Sequence, residues 1–283
     1  MAIQKVFVIG AGTMGNGIAQ VSAQAGYDVT MSDIKDEFIQ KGMATIERSL
    51  DRLVKRETIK ESDKAAIMSR IKTTVDNKDA KDADLVIEAA PEILDLKKNI
   101  FKQLEEICRA DAILATNTSS LPIGEIAAVT KTPGRVIGIH FMNPVPVMKG
   151  VEVIPGRNTS PETLEAAKEY VRKIGKEPCE ARDYAGFIVS RLVDALMNEA
   201  FWCVMDGNKP EEVDKAIKLC LNHPMGPLEL CDLAGADVVL HGLETMYAEF
   251  GERLMPSPLL KNMVRSGDLG RKTGKGFYDY TEK

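Results

Sequence analysis

The start of the chain alternates two hydrophobic periods. Residues 3–9 form a short β-branched run, and residues 13–25 carry the small-residue apolar pattern of a closely packed helix. Gly26 closes that helix, and residues 27–31 make a second strand ending at Ser32 and Asp33. Apolar runs at 84–87, 112–115 and 135–139 read as further strands, with helical patterns between them. This alternation predicts a parallel, doubly wound α/β sheet. Runs at 151–154 and 177–180 add strands around a helix at 161–174, with Pro161 at a tolerated early position. After Gly186 the strand signals stop. Residues 187–205, 210–221 and 227–250 read as helices separated by Gly and Pro. The expected organisation is an α/β domain over residues 1–185 and a smaller all-helical domain over residues 186–283.

The turn after the first strand, Gly10-Ala11-Gly12-Thr13-Met14-Gly15, has the spacing G-x-G-x-x-G. The first glycine permits a tight turn, and the second lets a pyrophosphate approach the backbone. The third lets the helix pack closely, so that helix N–H groups point at phosphates. Glycine-rich turns are common, but here a strand precedes, a helix follows and Asp33 ends the second strand about 20 residues on. The context predicts a Rossmann-type dinucleotide site. Asp33 would accept from ribose hydroxyls and repel a 2′-phosphate, which favours NAD over NADP, although Lys35 nearby could reach such a phosphate.

Composition narrows the class. A formal net charge of -5 argues against a nucleic-acid partner. The five cysteines are scattered and odd in number, with no C-x-x-C pair, which favours a reducing, cytoplasmic compartment. No apolar run approaches a membrane span, and none of the three histidines is paired at metal-ligand spacing, so neither membrane nor metal is expected.

His140 follows the strand at 135–139, at the strand end where open α/β sheets bind ligands. Histidine titrates near neutrality and suits proton exchange in alcohol–ketone chemistry. A lone histidine is nevertheless more often structural. Glu152 on the next strand could hold its tautomer, or be a solvated strand residue. His223 sits in a tight turn and reads as structural; His241 lies mid-helix without an assigned role.

Asn117-Thr118-Ser119-Ser120, His140-Phe141-Met142-Asn143-Pro144 and Val151-Glu152-Val153 together resemble the L-3-hydroxyacyl-CoA dehydrogenase family. The likeness continues through residues 183–188, 223–230 and 273–278, nearly the whole chain. Without a hydratase domain, the chain is most similar to the family's bacterial 3-hydroxybutyryl-CoA branch. The resemblance implies that His140 is the general acid/base, Glu152 its partner and Ser119 a donor to the substrate's 3-oxygen. It carries cofactor contacts onto Glu92, Lys97, Ser119, Asn143 and Lys272, each of which would otherwise pass as a surface polar residue. Ser49 and Arg56 correspond to coenzyme A contacts. Where the family has asparagine this chain has Ser190, expected to face the site with a weaker, or water-mediated, contact to the acyl group.

Between Glu47 and Lys60 five basic residues face three acidic ones. Arg48, Arg52 and Arg56 recur at helical spacing and could pair with the phosphates of coenzyme A. The competing reading is a solvated helix with intrahelical pairs such as Asp51–Lys55. The expectation is an NAD-dependent dehydrogenase of an acyl-CoA substrate, working as a cytoplasmic homodimer. Its rivals are a dehydrogenase of a free hydroxy acid, which gives the basic face no phosphate, and a non-catalytic dinucleotide sensor, which needs no proton relay.

Overall fold

A computed structural model describes residues 3–281. The chain divides into two compact units, Met1–Asp183 and Tyr184–Lys283. The strands of the first unit are β1 (Lys5–Ile9), β2 (Asp28–Ser32), β3 (Ile71–Thr74), β4 (Leu85–Glu88), β5 (Ile113–Thr116), β6 (Val136–Phe141), β7 (Gly150–Pro155) and β8 (Glu177–Glu180). Its helices are α1 (Thr13–Gln24), α2 (Asp36–Lys55), α3 (Glu61–Ser69), α4 (Leu94–Ile107), α5 (Ile123–Ala127) and α6 (Pro161–Lys173). The strands form one sheet in the order β3-β2-β1-β4-β5-β6-β7-β8.

The order reverses from β1 to β4, which makes the crevice beyond their carboxyl ends a ligand position. All pairs are parallel except β6–β7, where the chain turns back through a short loop and pairs antiparallel. That exception to the expected parallel sheet sets His140 opposite Glu152. β3 was not expected from the sequence. As the edge strand, reading Ile-Lys-Thr-Thr, it has one buried apolar residue and no alternation to betray it. The central strands are buried along their length, and their Val, Ile and Leu side chains pack against α1, α2 and α6.

The second unit is helical: α7 (Val189–Met205), α8 (Pro210–Cys220), α9 (Pro227–Ala234), α10 (Ala236–Phe250) and α11 (Pro258–Ser266). Its core gathers Met197, Phe201, Leu228, Cys231, Leu243 and Met246. The single helix expected over residues 227–250 is two. Gly235, at φ 104°, takes a conformation closed to L side chains and breaks the run between α9 and α10. Among the described residues, no helix is long and apolar enough to cross a membrane.

Candidate active site

The β1–α1 turn has the geometry its glycines require. Gly10 sits at φ 102°, and a Cβ at Gly15 would lie 1.7 Å from the Gly10 carbonyl oxygen. A Cβ at Gly12 would instead meet nothing within 4 Å, leaving the backbone open to a ligand. No side chain caps α1, so its first N–H groups remain for an anion. Asp33 closes the loop from the other side. Its Oδ2 accepts from the Ala11 amide at 2.8 Å and its Oδ1 from the Ile34 amide at 2.7 Å. Lys35 is turned over the Phe38 ring, 5.8 Å from its centroid. These residues fit a dinucleotide with free ribose hydroxyls.

Next along the carboxyl edge lies a charged group in which Glu92 and Lys97 were expected from the resemblance and Glu88 was missed. Lys97 is not a surface residue: it is 1% exposed, and its Nζ donates to Glu88 Oε1 at 2.7 Å and to the Ala90 carbonyl at 3.2 Å. Glu88 is fully buried and also accepts from the Ala90 amide and from Thr116 Oγ1, at 2.6 and 2.7 Å. Glu92 stands 3.4 Å from the same ammonium. Its Oε1 gathers Thr118 Oγ1 (2.5 Å), the Ser119 amide (2.8 Å), Ser119 Oγ (3.2 Å) and the Ser120 amide (3.2 Å). Burial alone would raise the Glu92 pKa, but Lys97 and these donors outweigh it and hold the carboxyl below its ordinary value. The loop carrying Ser119 is thus folded around an ionised carboxylate. The one signal for Glu88 was a glutamate ending the apolar strand of β4, nine residues before a lysine.

His140 is the penultimate residue of β6, inside the strand rather than beyond it. Its Nδ1 lies 2.8 Å from Glu152 Oε2, and both residues are buried, at 6% and 1% exposure. Asn117 Oδ1 accepts from the Phe141 amide at 2.9 Å, which ties the Ser119 loop to the histidine strand. Asn143 follows on an exposed loop with a cis bond to Pro144.

A cavity of about 440 Å³ opens between α1, α2 and this loop. Gly12, Thr13 and Asn143 line it together with Ser49, Arg52 and Arg56. The expected basic face needs correction. Arg48 is outside the cavity, exposed and bonded to Thr45 Oγ1, whereas Lys41, Thr45 and Ser49 continue the lining along α2. Asp51 pairs with Lys64 of α3 rather than with Lys55. In the second unit, Ser190 is the half-buried second residue of α7, and Lys272 pairs with Asp237 of α10.

The sequence matches the profile of the 3-hydroxyacyl-CoA dehydrogenase NAD binding domain over residues 5–184, and that of the 3-hydroxyacyl-CoA dehydrogenase C-terminal domain over residues 186–280. The chain belongs to the 3-hydroxyacyl-CoA dehydrogenase family. It is 47% identical to a 3-hydroxybutyryl-CoA dehydrogenase of Clostridioides difficile, over 98% of this chain and all of that one. It is 45% identical to a 3-hydroxybutyryl-CoA dehydrogenase of Bradyrhizobium diazoefficiens, over 98% and 96% of the two chains. The crystal structure of an (S)-3-hydroxybutyryl-CoA dehydrogenase from Ralstonia eutropha superposes with a TM-score of 0.95 at 47% identity, covering 99% of this chain and 100% of that one. As a member of this family the protein is an oxidoreductase whose cofactor is NAD, and the turn after β1 lies within its NAD-binding domain.

Proposed function

We propose that the protein interconverts acetoacetyl-CoA and (S)-3-hydroxybutyryl-CoA, with His140 as the acid/base. The observation that carries this is the buried His140–Glu152 pair, 2.8 Å apart, on strands adjoining the Ser119 loop. NAD, when bound, supplies or accepts the hydride. Glu152 accepts from the Nδ1–H of His140, which fixes the tautomer and leaves proton exchange with the substrate to Nε2. During reduction the imidazolium gives its proton to the nascent alkoxide, and Glu152 stabilises that cation beforehand. Ser119 Oγ turns its one proton from Glu92 to the same substrate oxygen, its backbone still held by Glu92. Gly10, Gly12, Thr13, Met14 and Gly15 take the pyrophosphate end of the cofactor, and Asp33 takes the adenosine ribose. Ser49, Arg52 and Arg56 receive the coenzyme A tail in the cavity, where the guanidinium groups suit phosphate oxygens.

The same reading makes the protein a cytoplasmic homodimer serving butyrate or fatty-acid metabolism. The exposed apolar side chains of the helical unit, such as Leu192, Leu219 and Val238, support the self-association. The deciding experiment follows NADH oxidation with acetoacetyl-CoA and with free acetoacetate. Turnover of the thioester alone is the expected result. Equal or better turnover of the free acid would overturn the substrate assignment.

A further inference from the structure

The loop after β6 forms one wall of the cavity, through Pro144, Val145, Pro146 and Val147. It curls so tightly that the Val147 and Met148 amides both donate to the Pro144 carbonyl, at 2.9 and 3.1 Å. The curl turns the carbonyls of Val145 and Met148 away from these bonds and toward the residue preceding β8. There Lys176, only 6% exposed, donates from Nζ to Val145 O at 2.6 Å and to Met148 O at 2.5 Å. The chain beside it is fixed as well, since the Lys176 amide donates to Val171 O and the Glu177 amide to Lys149 O.

A buried ammonium bonded to carbonyl oxygens rather than to a carboxylate is costly to keep. Burial holds the Lys176 pKa below the ordinary lysine value. On the opposite side of the loop the Val145 side chain is 2% exposed and presses on α1 so closely that a Cβ at Gly17 would come within 2.7 Å of it. The wall is therefore clamped between α1 in front and an ammonium behind. Among the described residues neither carbonyl accepts from a second donor, so losing the ammonium frees the curl to move into or out of the cavity.

We infer that Lys176 is a positioning residue that sets the acyl-CoA wall of the cavity by holding the 144–148 curl from behind. This rests on the cavity being the coenzyme A site, as proposed above. Lys176 touches neither substrate nor cofactor, so its signature is a change in substrate affinity at nearly constant chemistry.

The test is steady-state kinetics of the full-length protein with NADH and acetoacetyl-CoA. Lys176→Met keeps the stem and removes the donors, and is expected to raise KM for acetoacetyl-CoA about tenfold with kcat within about twofold of wild type. Lys176→Arg retains charge and donors and is expected to hold KM within about threefold of wild type. An active wild type with an unchanged KM in Lys176→Met would overturn the inference alone, as would a fall in kcat at unchanged KM. A wild type inactive on acetoacetyl-CoA would overturn the activity and this inference with it. Failure of both variants to fold would assign Lys176 to stability only and equally overturn it.

Discussion

His140 and Glu152 are directly opposite one another in the antiparallel pair of β6 and β7, and this register is what brings Nδ1 within 2.8 Å of Oε2. Residues opposite in a ladder project from the same face, so the contact needs no loop to assemble it. It is consequently buried and built from the two strands alone. Glu152→Gln preserves the shape but offers His140 a neutral partner. The expected outcome is a fall in kcat of about 10²-fold or more, with NADH affinity retained. Titration calorimetry with NADH alongside the rate assay separates the two effects, and a kcat near wild type would detach Glu152 from the chemistry.

Asp33 has two tasks that can be divided. Its Oδ2 holds the Ala11 amide, and its charge opposes a 2′-phosphate. Asp33→Asn retains an acceptor for Ala11 while removing the charge, so the NADH-to-NADPH ratio of kcat/KM should fall about tenfold without loss of fold. A wild type that already prefers NADPH would show that Lys35 governs this end of the site.

Arg56 caps the C-terminal end of α2 and lines the cavity. Arg56→Glu should raise KM for acetoacetyl-CoA about tenfold, and added salt should shrink the difference because the contact is exposed to solvent. A pantetheine-length analogue lacks the nucleotide phosphates and should be nearly indifferent to the change. Equal effects on both substrates would return this helix face to a solvated role.

Asp194 of α7 is buried against Gly242 of α10, where a Cβ would come within 2.7 Å of its Oδ2, and burial raises its pKa to about 7. The folded state therefore keeps a proton that the unfolded chain releases near pH 4. The stability from that proton is complete below about pH 4 and is lost as pH rises toward 7, at roughly 1.4 kcal/mol per pH unit. Asp194→Asn mimics the protonated form at every pH. Its gain in unfolding free energy over wild type should be larger at about pH 8 than at about pH 5, by roughly 3 kcal/mol. Parallel stability curves for the two proteins would mean that the carboxyl is solvated.

Elements that the fold buries on both sides were legible in the sequence because their apolar runs are continuous. β1, β4, β5 and β6 all fall within a residue or two of their expected spans. β3 was invisible because an edge strand buries almost nothing. The break at Gly235 was masked because apolar residues continue through it from α9 into α10. Among the charged residues, spacing alone placed Arg52 and Arg56 on a shared face but wrongly included Arg48, which lies about 40° around the helix from Arg52, at the edge of that face, and bonds to Thr45. The burial of Glu88, Lys97 and Lys176 was beyond reach for a different reason. A charge is kept inside a protein by partners that the fold brings to it, nine residues away for Lys97 and 31 for Lys176, and no helical or strand period records them.

The most direct test of the account is a single-turnover measurement of NADH oxidation by acetoacetyl-CoA in wild type and His140→Ala, with NADH binding measured separately. Proton donation from His140 requires the hydride-transfer rate to fall about 10²–10⁴-fold in the variant while the NADH Kd stays within about threefold. A variant that binds NADH normally and transfers hydride at the wild-type rate would contradict it.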